Sequence, residues 1–279
     1  MPSRDQQEQS SGPIPRTIWV GVAAASFYVL IAAVVGNLLD PLAGGDDALD
    51  FVIATWIPVA VLIIVGLLFA RRAGWLREAW SAPSPFVERQ RWWLFAIPVV
   101  LVVQIILMLV DVPWSERAMS VVLIYLVGSL LIGIGEEFYF RGIFRIAMRG
   151  HHGELAALLV TSIAFGLAHT VGYFFNGVPI GATALSVAFL AMNGALFYGA
   201  LRATGTLWVP ILLHGLGDFA RFMQSGGDAH EEAQGLSGDA GTAAVEYVLI
   251  GLSIALVISV ARSERRSRGT RVSSPISQE

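Results

Sequence analysis

The chain has 279 residues, 55% of them hydrophobic and only 14% charged, with a formal net charge of −3. That is too little polar surface for a soluble globule of this size, so the chain reads as an integral membrane protein. Cysteine is absent, which excludes disulfides, thiolate catalysis, cysteine metal ligands and cysteine-linked lipid.

The chain begins with a polar segment, MPSRDQQEQSSGPIPR. Runs of about 18 to 25 apolar residues then recur along its length, each able to carry a helix across about 30 Å of hydrocarbon. In chain order they predict spans at 17–39, 51–70, 93–110, 118–140, 155–173, 182–201, 207–222 and 243–261. The first is too long for the core of a signal peptide and is kept as a helix. The runs are continuous and lack the in/out alternation of a membrane barrel. The expected fold class is all-α, a polytopic integral membrane protein of about eight transmembrane helices. It divides into a polar cytoplasmic N-terminal segment (1–16), a transmembrane helical domain (17–261) with a motif-bearing core at 118–222, and an Arg-rich cytoplasmic tail (262–279).

All 18 basic residues are arginine, a composition expected of a GC-rich bacterial genome. With the N-terminus inside, the cytoplasmic segments collect Arg4, Arg16, Arg71, Arg72, Arg77, Arg89, Arg91, Arg141, Arg145, Arg149, Arg202 and the five arginines of the tail, leaving Arg117 and Arg221 outside. The outer stretches LDPLAGGDDALD and 223–242, with Asp228, Glu231, Glu232 and Asp239, are acidic. This asymmetry satisfies the positive-inside rule, so the expected location is a bacterial plasma membrane, multi-pass, with both termini cytoplasmic. The lipid bilayer is the expected surrounding, and no nucleic-acid partner is expected.

Three short constellations carry chemistry. In LVGSLLIGIGEEFYFRGIF, Glu136 and Glu137 sit side by side in an apolar run. Carboxylates at membrane depth are costly and are functional candidates by default. Glu137 and Arg141 are spaced i, i+4 and can pair, while Glu136 is turned about 100° away and is free to face something else. Gly133 and Gly135 would let a neighbouring backbone or a substrate chain come close. In FGLAH, Phe165 and His169 share a face. In LWVPILLHGLGD, Trp208 lies near the interface, Pro210 falls in the first helical turn, and His214 and Asp218 point the same way.

Depth arithmetic brings these groups together. The turn signal Gly150-His151-His152-Gly153 is centred about 16 residues from both Glu136 and His169, so an antiparallel pair turning there places them level, about 24 Å from the turn. Residues 141–149 should protrude, leaving the pair roughly 12 Å below the cytoplasmic surface. His214 follows its own turn at Thr204 and Gly205 by about nine residues, again about 13 Å deep.

The ordered set Glu136, Glu137 and Arg141 (E-E-x-x-x-R), Phe165 and His169 (F-x-x-x-H), and His214 and Asp218 (H-x-x-x-[N/D]) resembles the CPBP family of intramembrane proteases. That family includes the type II CAAX prenyl endopeptidases and bacterial proteins linked to bacteriocin processing and self-immunity, the ABI family. The likeness spans 130–222; helices one to three and eight carry no matching motif. The resemblance implies an intramembrane endopeptidase in which Glu136 is the general base that activates a water, with His169 sharing that role. His214 and Asp218 would stabilise the tetrahedral oxyanion, and Glu137 with Arg141 would hold the site together. Its implied substrate is a membrane-anchored peptide or protein, prenylated CAAX peptides being the family's best-known case. Peptide hydrolysis asks for these parts on its own terms, an activated water and groups placed where negative charge develops.

An ionised Asp218 cannot donate to an oxyanion as an Asn would, so it would be protonated, act through His214, or ligate a metal. In the metal version His169, His214 and one carboxylate form a two-His, one-acid zinc site with an open position for water; otherwise no cofactor is needed. The compact H-E-x-x-H signature is missing, so spacing alone does not establish a metal.

Structural readings stand beside these. Glu137 with Arg141 can be an ion pair alone, and Phe165 can be packing or a pocket wall. His151 and His152 fit a solvated turn, His230 an acidic outer loop. Asn193 suits a hydrogen bond across helices, Glu246 the interface at the outer end of the last helix, and ARSERRSRGTR a topology anchor that attracts anionic lipid. Two other function classes remain. A proton-coupled transporter also needs intramembrane Glu, His and Asp, yet no internal repeat is present. A non-catalytic membrane scaffold or bacteriocin-immunity protein would keep the fold without the chemistry.

Overall fold

The structure, a computed structural model, describes residues 13–81, 91–226 and 240–272. Most of the polar N-terminal segment with Arg4, then Arg89, His230 and the outer-loop acids Asp228, Glu231, Glu232 and Asp239, and the end of the tail lie outside the described residues.

Among the described residues eight long helices follow the predicted spans: α1 Ile18–Ala43, α2 Asp47–Arg72, α3 Trp92–Val110, α4 Met119–Arg149, α5 Glu154–Phe175, α6 Ile180–Thr204, α7 Trp208–Ser225 and α8 Ala240–Val272. No strand forms among the described residues; Ser81 and Thr206 make one isolated antiparallel bridge. The chain is thus an all-α polytopic membrane protein, the arrangement in which every backbone donor finds its acceptor within its own segment.

Seven of these helices are long and apolar enough to cross a membrane. The eighth, α7, has 18 residues but spends four of them on His214, Asp218, Arg221 and Gln224. It is sheltered instead by α3 and α4, which pack along it. Two helices outrun their predicted ends: α4 continues through Arg145 to Arg149, and α8 continues past residue 261 to Val272.

Local sequence explains the irregular turns. Pro58 has no amide hydrogen, and the π-helical turn Phe51–Trp56 immediately before it absorbs the missing bond. π-Helical stretches also run over Leu30–Val35 and Phe138–Phe144, the latter beginning directly after Glu137. The turn at Gly150 to Gly153 separates α4 from α5, and Gly205, with φ 74°, ends α6 while its N–H bonds to the Leu201 carbonyl.

Large apolar side chains cover the outside of the bundle, among them Ile57, Ile64, Val99, Ile106, Leu123 and Ile163, all more than half exposed. In water that surface would be a liability; against lipid it is the expected outer face.

The arginine-rich ends gather at one end of the bundle. Arg16 pairs with Glu78 at 2.9 Å in the short helix Leu76–Trp80, and Arg145 donates to the Glu78 carbonyl at 2.8 Å and to the Arg141 carbonyl at 2.6 Å. Glu154, at the start of α5, receives Arg149 of α4 at 3.1 Å, Arg202 of α6, and the Tyr198 hydroxyl at 2.7 Å. Glu264 of α8 accepts the Leu155 N–H at 3.1 Å, so four helices are latched at this end.

Candidate active site

The site is built where α4 and α7 cross backbone to backbone. A Cβ on Gly133 would lie 2.6 Å from the Ile211 carbonyl oxygen, and one on Gly215 would lie 2.8 Å from that of Ser129. Glycine at both positions lets the helices touch, and the carboxylates of α4 therefore reach the ring of α7.

Glu137 is the junction. Its Oε1 accepts from Arg141 Nη1 at 3.0 Å and from His214 Nδ1 at 3.0 Å, and all three side chains are buried. The ion pair expected from i, i+4 spacing is present, and the same carboxylate also orients a histidine of another helix. Arg141 is compensated further by ring faces: its guanidinium carbon lies 4.1 Å from the centre of Phe165 and 5.7 Å from that of Phe197. Gly194 makes room for it, since a Cβ there would stand 2.9 Å from Arg141 Nη2.

Glu136 faces away from this pair, as its position on the helix requires. Its Oε2 lies 4.0 Å from His169 Nε2 and 3.8 Å from His214 Nε2, with no hydrogen-bond partner among the described residues. Separations of this size between polar atoms suit one bridging water. The level placement of Glu136 and His169 worked out from the Gly150–Gly153 turn is the one found.

Both histidines are held by their other nitrogen. His169 Nδ1 donates to the Phe165 carbonyl at 2.9 Å, which turns Nε2 toward Glu136. His214 Nδ1 donates to Glu137, and Nε2 lies 3.2 Å from Asp218 Oδ2. Arg221 Nη1 stands 3.6 Å from the other Asp218 oxygen. Phe165, only 1% exposed, is edge-on to both histidine rings at 5.1 and 5.6 Å, while Phe197 stacks on His214 at 4.9 Å. Phe165 is thus both packing and wall.

A cavity of about 40 Å³, large enough for a water, opens here between α3, α5, α6 and α7. His169, His214, Asp218 and Phe165 line it together with Asn193 and Gln104.

All seven side chains singled out from the motifs therefore meet in one place. The zinc arrangement fares differently: among the described residues no three His, Asp or Glu side chains come together as a metal-ligand group. His214 Nε2 is already engaged with Asp218.

Several neighbours were not legible. Phe197 gave no signal in an apolar helix. Asn193, read as a helix-to-helix hydrogen bonder, makes no hydrogen bond to any described residue and faces the cavity. Glu246, placed at the interface by its position in the chain, is only 5% exposed, and Gln104 donates to it at 3.5 Å. Tyr28 of α1 stacks obliquely on Tyr139 at 4.8 Å and brings its buried hydroxyl against Gly135. His151 and His152 are exposed in their turn, as expected.

Residues 118–220 match a family model described as type II CAAX prenyl endopeptidase Rce1-like. No curated protein and no solved structure matches the chain.

Proposed function

We propose that this chain is an intramembrane endopeptidase that hydrolyses a peptide bond of a membrane-anchored peptide or protein by a glutamate-activated water, a reading supported by the match of residues 118–220 to the Rce1-like family model. The observation that carries the reading is Glu136 Oε2, without a hydrogen-bond partner among the described residues and held 3.8 and 4.0 Å from two histidine Nε2 atoms.

A water between these three atoms gives a proton to Glu136 as its oxygen attacks the scissile carbonyl carbon. The carbonyl π electrons move to oxygen, forming the tetrahedral oxyanion. Collapse of the oxyanion breaks the C–N bond, and the leaving amine takes the proton back from Glu136. His169 supports the base, its ring fixed by the Phe165 carbonyl. His214, anchored through Nδ1 on Glu137 and through Nε2 on Asp218, supports the developing charge through its field and not by a direct hydrogen bond, and Asp218 acts by positioning it. Glu137 and Arg141 touch no substrate in this scheme; they hold His214 in place.

We assign the Arg-rich end of the bundle to the cytoplasmic side of the membrane, the side on which the positive-inside rule expects arginine. Glu136 is 13 residues from Arg149, about 20 Å along α4; with the Arg-rich end of α4 reaching out of the hydrocarbon, cleavage takes place within the membrane on the cytoplasmic half.

The test is cleavage of a membrane-peptide library by detergent-purified protein and by Glu136→Gln, with and without chelator, alongside metal analysis. Cleavage lost in Glu136→Gln and indifferent to chelator is the expected result. Stoichiometric zinc with chelator-sensitive cleavage would replace the metal-free scheme by a metalloprotease. Equal behaviour of the two proteins would leave the scaffold or immunity reading in its place.

A further inference from the structure

Hydrolysis needs hydrogen-bond donors at the oxygen that becomes negative, and such donors are commonly the largest single contribution to rate. At the third motif this chain carries Asp218, whose ionised carboxylate only accepts. The polar side chains around the cavity are mostly committed elsewhere. His169 Nδ1 is tied to Phe165, His214 to Glu137 and Asp218, and Gln104 to Glu246. Arg221 lies beside Asp218, with 34% of its side chain exposed.

Asn193 is the exception. It sits on α6, 6% exposed, lines the cavity with both histidines, and makes no hydrogen bond to any described residue. Its amide opens on the cavity at a position where a helix of a membrane bundle could equally carry Leu or Ala. Its place is fixed from the other side by Gly194, which seats the Arg141 guanidinium. The amide is therefore held against the same cluster that orients His214, with its N–H groups free to face the cavity.

We propose that Asn193 is a catalytic residue whose side-chain amide N–H donates to the oxyanion, supplying from α6 the neutral donor that Asp218 cannot supply from α7. This rests on the hydrolytic reading above. When the water oxygen bonds to the carbonyl carbon and Glu136 takes its proton, the carbonyl π pair becomes a lone pair on oxygen, and the Asn193 N–H shortens its bond to that oxygen. No proton is transferred from the amide, and the bond relaxes when C–N cleavage restores the carbonyl.

The experiment compares wild type, Glu136→Gln, Asn193→Asp, Asn193→Ala and the swap Asn193→Asp with Asp218→Asn, using a cleaved peptide found for the wild type. A phosphinate analogue of that peptide, which carries the oxyanion charge at rest, serves as a binding probe. Asn193→Asp keeps size and shape but loses the donor; Asn193→Ala does so without a new charge. Thermal unfolding in detergent checks that each variant is folded. Expected are a kcat about 10²–10³-fold lower in both single variants, a KM within about twofold, and phosphinate affinity falling in parallel with kcat/KM. The swap, which returns an amide to the cavity wall, should recover at least about tenfold of the loss. Glu136-dependent cleavage with kcat retained in folded Asn193→Ala, or with KM alone raised, overturns the role of Asn193 and leaves the protease intact. Cleavage indifferent to Glu136→Gln overturns both.

Discussion

Gly215→Ala tests whether the crossing of α4 and α7 sets the chemistry. The added Cβ would lie 2.8 Å from the Ser129 carbonyl oxygen and 3.0 Å from Leu130 Cα, where ordinary contact begins at 3.4 Å. Both obstacles are backbone, so neither can rotate aside, and the helices must part by about 0.6 Å. His214 is the preceding residue, and its Nδ1 is 3.0 Å from Glu137 Oε1. Carried over in full, the displacement stretches that bond to about 3.6 Å, beyond hydrogen-bond range. Overpacking of this kind costs about 1–3 kcal/mol, and misplacing a catalytic group by up to 1 Å costs about 10²-fold in rate. Gly215→Ala should therefore melt earlier in detergent and cleave about ten- to a hundredfold more slowly. Gly251→Ala in α8 is the control, since a Cβ there meets nothing within 4 Å, and it should leave both quantities unchanged. Wild-type melting and wild-type cleavage in Gly215→Ala would refute the claim that backbone contact at this crossing positions His214.

Other consequences follow from the buried charges and rings. Arg141→Met leaves Glu137 without its cation while both positions stay buried, and should destabilise the protein by about 3–5 kcal/mol, read by thermal or denaturant unfolding. Phe165→Ala removes the ring that touches Arg141, His169 and His214; a loss of about 3–5 kcal/mol in stability should accompany a drop in kcat. Glu154→Gln breaks the latch between α4, α5 and α6 at the Arg-rich end. It should lower the melting temperature while leaving KM unchanged, because Glu154 lies outside the cavity.

The helices were legible because hydrophobic length sets them: each predicted apolar run became a helix, although α4 and α8 run about nine and eleven residues past their predicted ends. Glu137 with Arg141 was legible from i, i+4 spacing, and the meeting of Glu136 with His169 from their equal distance to the Gly150–Gly153 turn. The sharing of Glu137 between Arg141 and His214 was not, because it depends on α4 and α7 touching at Gly133 and Gly215. Spacing within one helix carries no information about which face of another helix it meets. For the same reason Asn193 read as a hydrogen bonder between helices, and its position on the cavity wall beside Gln104 emerges only when four helices are assembled around it. Glu246 was misread because its place near a helix end suggested water, whereas the neighbouring α3 covers it. The length of α4 beyond residue 140 depended on Arg145 finding carbonyls of Glu78 and Arg141, contacts with no local signature.

The most direct measurement is cleavage in ¹⁸O water of a membrane-anchored peptide reconstituted with wild type or Glu136→Gln, followed by mass spectrometry of the fragments. One ¹⁸O in the new C-terminal carboxyl group, formed by the wild type and reduced at least about 10²-fold in Glu136→Gln, is the expected outcome. Label entering at the same rate in Glu136→Gln would contradict Glu136 as the group that activates the water.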